Sequence, residues 1–325
     1  MSTSYGHFTA SEREKLLVFV DRGLSFREMG RRLGRSASSV SRELKRNSGR
    51  GGRYSPSKAQ EKYQERRRSC VRKRIFDNAE VRESVAKELL DFWSPEQISG
   101  RQKATKAKVC VSYPTIYRAI REGELEVPKK CLRRKGHRPS PHTEETRGRL
   151  HGQKTIQQRP KGADTRSQYG HWEGDTVLGS RGKGAAATFV DRRSGYLIAA
   201  RMPNRKAETL NAYWCKAFEG IPPSLRRSFT VDHENEFFSY EEVERTLSTK
   251  VYFADPYSPW QWGTNENTNG LLRQYFPKGC DFLTITDEEF QAAIDSLNNR
   301  PRKRLGYRTP AECFPFSKNK VLHLT

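Results

Sequence analysis

Apolar positions in the first fifty residues recur at helical spacing and are broken by polar caps at short intervals. Thr9 and Glu12 have the spacing of a capping box, and Leu16, Leu17 and Val20 follow on one face, which predicts a first helix. Ser25 and Glu28 repeat the box around Phe26, Met29 and Leu33, and Gly34 supplies a stop, so a short second helix ends there. Arg35 and Ser36 lead into a third helix. Its Val40 and Leu44 point inward, while Ser38, Ser39, Arg42, Lys45 and Arg46 point outward. A tight turn followed by a cationic helix is the arrangement that lays the last helix in the major groove of DNA. The plainer reading is a three-helix core with a charged exterior. Trp93, Ser94, Pro95 and Gln97 mark another capped start, and Ser112 precedes a helix from Tyr113 to Ile120. These form either a second helix-turn-helix-like pair, with Tyr113, Thr115 and Arg118 as candidate DNA contacts, or a plain helical connector. A basic loop, Gln102 to Lys108, stands where a tight turn is expected.

From Tyr169 the period changes from helical to alternating. Trp172 to Leu178, Ala185 to Asp191 and Tyr196 to Arg201 are short runs separated by Gly-containing turns, which predicts an antiparallel meander. Helix Ala207 to Phe218, strand Phe229 to Val231, helix Tyr240 to Leu247, strand Val251 to Phe253 and helix Asn265 to Tyr275 follow. The order βββαβαβα is that of an α/β, ribonuclease H-like fold, here preceded by an all-α helix-turn-helix region. The expected partition is a helix-turn-helix domain over 1–50, a basic linker over 51–90, a second helix-turn-helix-like domain over 91–127, a basic linker over 128–165 and a catalytic domain over 166–325.

Charge sharpens this partition. The 325 residues carry a net charge of +23, and residues 1–170 hold 40 Lys and Arg against 19 Asp and Glu, whereas the remainder holds 21 against 19. A cationic first half beside a near-neutral second half fits a phosphate-binding region joined to a catalytic one, with a solubilising basic tail as the other reading. Mean hydropathy is −0.91, yet 16 Phe, 13 Tyr and 5 Trp can furnish cores that a disordered chain lacks. Six scattered cysteines without a CxxC pair argue against a disulfide framework or a zinc ribbon and favour a reducing compartment. Cys131, His137 and His142 form at most a partial zinc set. No signal-peptide core and no apolar run of membrane-spanning length is present, so a cytoplasmic, nucleoid-associated protein with no membrane partner is expected.

Three acids complete the picture. Asp175 lies in an apolar strand beside Trp172 and Val177, Asp232 follows Val231, and Glu266 opens an asparagine-rich helix. In the predicted fold the first and fourth strands are neighbours, so Asp175 and Asp232 meet at one end of the sheet and Glu266 comes in from a helix. Three such carboxylates repel one another unless a divalent cation neutralises them, and oxygen donors suit Mg²⁺ or Mn²⁺. Two ions in such a site serve in-line phosphoryl transfer. Glu173, Glu234, Glu236 and Asp191 are the competing acids. Arg273, two helical turns after Glu266, shares its face and is a candidate for a DNA phosphate beside the metals.

The chain resembles the bacterial insertion-sequence-thirty transposases over nearly its whole length. The resemblance rests on GHWEGDTV around Asp175, VDHENEF around Asp232, YFADPYSPWQWGTNENTNGLLRQYFPKG around Glu266, and LNNRPRKRLGYRTPAECF from Leu297 to Phe314. It implies a DDE transposase with Asp175, Asp232 and Glu266 as acids and Arg273 as the basic residue after the glutamate. It also implies an N-terminal region that recognises terminal inverted repeats in double-stranded DNA, and a dimer or larger homo-oligomer that holds two element ends and the target DNA. In such enzymes water nicks DNA and the freed 3′-hydroxyl attacks a second phosphodiester. Two positions depart from the family pattern. Glu234 stands where a turn glycine is usual, which predicts a strained turn or added negative charge near the metals, and Trp262 replaces an expected arginine. A catalytically dead DNA-binding regulator or inhibitor of transposition is the alternative from another class.

Overall fold

The computed structural model describes residues 6–49, 53–70, 74–128, 131–132, 154–255, 258, 261 and 263–316. Trp262, His137 and His142 lie outside the described residues. The chain forms two compact units, 1–77 and 78–325.

The first unit holds α1 (Ala10–Asp21), α2 (Phe26–Leu33), α3 (Ala37–Asn47) and α4 (Pro56–Ser69). The predicted caps form: Thr9 and Glu12 close a reciprocal box, Ser25 and Ser36 accept from Glu28 and Ser39, and Gly34 takes the left-handed conformation at φ 63°. Gly30 is required for packing, because a Cβ there would stand 2.6 Å from the carbonyl oxygen of Arg35. Leu16, Met29, Val40 and Leu44 make the core with Phe8, Tyr54 and Ala59. Arg13 is almost fully buried. It pairs with Glu43 at 2.7 Å, donates to the Phe8 carbonyl at 2.9 Å, and lies over the Tyr63 ring.

The stretch expected as a basic linker, 51–90, contains α4 and the whole of α5 (Ala79–Leu90). Helix α4 buries Ala59, and its Gln60 accepts from Arg13, so a small residue and a polar contact do what aliphatic periodicity does elsewhere. Helices α6 (Pro95–Ala104) and α7 (Tyr113–Glu122) appear at their predicted caps. Helix α6 runs through the first part of the expected loop. Gln102 then ties the turn down by accepting from the Val111 N–H at 2.8 Å.

The second unit continues through the short helix α8 (Lys161–Asp164) into β1 (His171–Leu178), β2 (Ala185–Asp191) and β3 (Leu197–Met202). Then come α9 (Ala207–Phe218), β4 (Ser228–Val231), α10 (Tyr240–Leu247), β5 (Lys250–Phe253), α11 (Gly263–Leu272), α12 (Asp287–Asn298) and α13 (Pro310–Cys313). The sheet order is β3-β2-β1-β4-β5, with β1–β2 and β2–β3 antiparallel and β1–β4 and β4–β5 parallel. This is the predicted ribonuclease H-like arrangement.

Alternation along β1 sorts its side chains between two cores. Trp172 packs with Phe189, Trp214, Phe218 and Phe229 under α9 and α10, while Val177 packs with Leu271, Leu272 and Phe290 under α11 and α12. Odd positions of β1, Asp175 among them, thus face α11. The free edge of β5 is covered where Phe253 N–H donates to the Lys154 carbonyl at 2.9 Å.

The bundle α5–α7 is fastened to the segment after α12. Gln97 donates to the Pro301 carbonyl at 2.7 Å and accepts from Arg300 at 3.0 Å, Lys303 pairs with Glu96, and Arg101 pairs with Glu312. Gly100 lies flat against the Tyr307 ring.

Candidate active site

Strand register alone brings two of the acids together. Glu173 pairs with Thr230 across the parallel β1–β4 ladder, so two residues further on Asp175 comes level with Asp232, just past the end of β4. Gly174 lets this happen, since a Cβ there would press to about 3.1 Å on Val231 and 3.2 Å on Phe189. Burial and the Asp232 charge push the Asp175 carboxyl up to about 8, against the N–H of Thr176 and the Asn269 amide that hold it down. The Thr176 N–H donates at 2.7 Å and Asn269 Nδ2 at 2.8 Å. Asp232 is buried and accepts from the Glu234 N–H at 3.2 Å.

Helix α11 runs alongside β1. Asn265 is fully buried and donates to the carbonyls of Glu173 and Thr188, Asn269 donates to Asp175, and Arg273 donates to the Leu178 carbonyl at 2.7 Å. Glu266 follows Asn265 and precedes Asn269 by one turn, so it belongs to the level of β1 between Glu173 and Asp175. Its side chain is exposed. Among the described residues, no three His, Cys, Asp or Glu side chains stand close enough to hold a metal ion. The structure therefore brings Asp175 level with Asp232 and leaves Glu266 exposed on α11, outside any three-acid cluster among the described residues. Arg273 spends its guanidinium on the Leu178 and Pro277 carbonyls.

The donor set nonetheless suits a hard cation. Two carboxylates share one end of the sheet, and one of them is so poorly solvated that it holds its proton near neutral pH, a position a divalent ion can take over.

Two competing acids have structural work instead. Glu173 is fully buried, pairs with Arg192 at 2.5 Å, and accepts from the Asn265 N–H in the first turn of α11, so it caps the helix that carries Glu266. Asp191 accepts from Gly170 N–H, Ser194 N–H and the Ser194 hydroxyl to close the β2–β3 turn. Glu234 and Glu236 stay near the aspartates and share Arg205, at 2.9 Å and 2.8 Å. The expected strain at Glu234 is absent: its φ of −78° and ψ of 147° are ordinary extended backbone, which any residue adopts. The added charge is real and is paired. Sequence pattern alone does not mark Asn265, Asn269, Thr176 or Arg205 as site residues. Asn265 and Asn269 were signalled only by the asparagine-rich run itself.

Of the candidate DNA contacts, Ser36, Ser38, Arg42, Lys45 and Arg46 are exposed and Ser39 is half-buried. Arg35 is used internally: it pairs with Glu12 at 3.0 Å, donates to the Gly6 and His7 carbonyls, and lies over Phe8. Tyr113 and Arg118 are exposed, whereas the Thr115 hydroxyl is shared with Ser112 at 2.8 Å. Tyr117, one turn after Tyr113, is also exposed.

Residues 4–47 match the family model of a helix-turn-helix domain and residues 165–259 that of an integrase core domain. The transposase InsI for insertion sequence element IS30A of Escherichia coli (strain K12) is 37% identical over 322 residues, covering 94% of this chain and 82% of that protein. The transposase for element IS1086 of Cupriavidus metallidurans is 36% identical, covering 95% of this chain and 94% of its own. The transposase for element IS4351 of Bacteroides fragilis is 36% identical, covering 95% of both. A simian T-cell lymphotropic virus intasome, solved by cryo-electron microscopy in complex with a PP2A regulatory subunit, aligns with 56% of this chain and 64% of that one at 17% identity and a TM-score of 0.37. Among the described residues no helix is long and apolar enough to cross a membrane. With its helix-turn-helix, its integrase core and this degree of identity over nearly its full length, the chain belongs to the IS30 family of transposases, metal-dependent polynucleotidyl transferases.

Proposed function

We propose that Asp175, Asp232 and Glu266 are the metal-holding acids of this DDE transposase, and that they take two Mg²⁺ or Mn²⁺ ions. The observation that carries the reading is the pairing of Asp175 with Asp232 at the β1–β4 end, where burial and mutual repulsion lift the Asp175 carboxyl to about 8. Bound cations supply charge neutralisation for these acids and for the phosphate under attack.

The chain's own groups supply the positioning. Thr176 N–H and Asn269 Nδ2 each fix one Asp175 oxygen, and the Glu234 N–H fixes Asp232. The Arg192–Glu173 pair anchors the start of α11 and so presents Glu266 on the adjacent level. In the first step a water oxygen attacks phosphorus and the bond to the bridging 3′ oxygen breaks, leaving a 3′-hydroxyl and a 5′-phosphate. In the second, that 3′-hydroxyl oxygen attacks a target phosphorus and a target 3′ oxygen leaves.

The cationic first half and the exposed Ser38, Arg42, Lys45 and Arg46 of α3 support recognition of terminal inverted repeats by the N-terminal unit, with Tyr113, Thr115 and Arg118 of α7 as a second contact. Joining two ends to a target calls for a dimer or larger assembly on DNA, consistent with a nucleoid-associated protein. A catalytically dead regulator is not favoured, because the turn at Glu234 is unstrained and its charge is paired. The test is strand transfer on inverted-repeat DNA with Mg²⁺ or Mn²⁺. Parent protein joins ends, and Asp232→Asn loses joining by about a hundredfold or more while still binding the repeats. Joining by Asp232→Asn at the parental rate would remove Asp232 from the site.

A further inference from the structure

The two aspartates are joined by a chain of contacts that runs through Thr176, Glu236, Arg205 and Glu234. Asp175 accepts from the Thr176 N–H, and the Thr176 hydroxyl donates to Glu236 at 2.5 Å. Glu236 pairs with Arg205 Nε at 2.8 Å, and Arg205 pairs through Nη1 with Glu234 at 2.9 Å. The Glu234 N–H in turn donates to Asp232. Arg205 is thus the one cation in a path that starts at one aspartate and ends at the other. It lies in the connection between β3 and α9, outside the strands that carry the acids.

Glu234 and Glu236 are carboxylates of the same hardness as the two aspartates, placed two and four residues beyond Asp232. Left unpaired, they are competing ligands for any divalent ion that enters. A guanidinium is suited to prevent this, because its fork reaches two carboxylates at once and keeps its charge at any working pH. Lysine offers a single point of charge and would hold one of them. Glu236 is further tied by Thr176 and is buried, whereas the Glu234 side chain is about one-fifth exposed and has the freer path to solvent.

We propose that Arg205 is a positioning residue that withholds Glu234 and Glu236 from the metal site, so that cations settle on Asp175 and Asp232 alone among these four acids. This explains how the chain carries a glutamate at Glu234 beside its acids: the extra charge is matched by Arg205. The inference rests on the reading of Asp175 and Asp232 as metal ligands.

The experiment compares Mn²⁺ binding to the full-length protein without DNA, followed by calorimetry, with strand transfer at saturating Mn²⁺. In Arg205→Ala one positive charge is lost and Glu234 and Glu236 lose their guanidinium partner, so Mn²⁺ binding tightens about fivefold. Joining falls about tenfold or more in the same variant, because the ions are held away from the reacting geometry. Restoring glycine in Arg205→Ala/Glu234→Gly brings Mn²⁺ affinity and joining back towards the parent. Loss of Mn²⁺ binding in step with joining in Arg205→Ala would make Arg205 a merely structural residue and overturn the proposal, as would parental values of both. Asp232→Asn separates the two layers: if it binds Mn²⁺ like the parent, the metal-site reading itself fails, whatever Arg205 does.

Discussion

A carboxyl drawn wholly or partly out of water survives either by pairing or by keeping its proton, and buried Glu173 and half-buried Glu88 show the two solutions. Glu173 is paired with Arg192 under the active site, whereas Glu88 on α5 has one oxygen with no hydrogen-bond partner among the described residues. Burial first, then the charge of Asp91, push Glu88 up to about 7, with Arg101 pulling the other way. Because the folded protein holds this proton to higher pH than the unfolded chain does, folding binds protons between the ordinary glutamate range and about 7. Stability from this group is present in acid and is lost as pH rises through about 7. Glu88→Gln is therefore expected to unfold at a higher temperature than the parent at pH 8 and at nearly the same temperature at pH 4.5, by thermal denaturation. A variant that melts below the parent at pH 8 contradicts this. Sequence could not expose such a residue, because Glu88 reads as one more charge on an amphipathic helix. Asp175 and Asp232 were legible for the opposite reason: an acid that ends or interrupts an apolar strand stands out from its neighbours.

Among the elements, α11 shows how much work a polar helix does at a catalytic edge. Asn265 carries no catalytic chemistry of its own, yet it is buried, and its amide makes three contacts, with the Glu173 carbonyl at 2.8 Å, the Thr188 carbonyl at 3.0 Å and the Thr188 hydroxyl at 3.1 Å. Asn265→Ala takes its amide from two carbonyls in a dry place, while the Thr188 hydroxyl keeps the Asp175 carbonyl, at about 1–3 kcal/mol each at most and less in sum after relaxation. The expected outcome is an unfolding midpoint in urea lowered by about 1–3 kcal/mol equivalent, with joining reduced more than inverted-repeat binding because Glu266 is the next residue. An unchanged midpoint would mean that the three contacts are not held in solution. The strands, α9 and α10 were readable because their apolar residues follow period 2 or 3.6. Helix α4 was not, since Ala59 is its one fully buried apolar residue and Arg66, Arg67 and Arg68 dominate its appearance. Helix α12 does carry a signal, the Thr286–Glu289 box with Phe290, Ala293, Ile294 and Leu297 on one face.

At the scale of the whole second unit, the motif from Leu297 to Phe314 turns out to be a platform. It holds α6 through Gln97, Glu96 and Arg101, and with α6 it fixes the bundle whose last helix exposes Tyr113, Tyr117 and Arg118. Sequence reading separated that bundle from the catalytic domain because a cationic stretch intervenes along the chain, and long-range docking between Gln97 and Pro301 leaves no periodic trace. A bundle fixed to the sheet sets the distance between any DNA it grips and the acids at Asp175 and Asp232. Gly100 is the place to test this, because a Cβ there would come within 2.3 Å of the Tyr307 ring. Gly100→Leu must lift α6 from the platform or displace Tyr307. Misplacing bound DNA by about an ångström is enough to cut joining about a hundredfold. The expected result is that Gly100→Leu nicks at scattered positions around the inverted-repeat end, mapped on sequencing gels, while its affinity for repeat DNA stays within about threefold because phosphate contacts dominate binding. Gly100→Ala combined with Tyr307→Ala, which removes the ring, restores a single nick position. Scatter that persists in the double variant would place the fault in α6 itself and not in its seat on Tyr307.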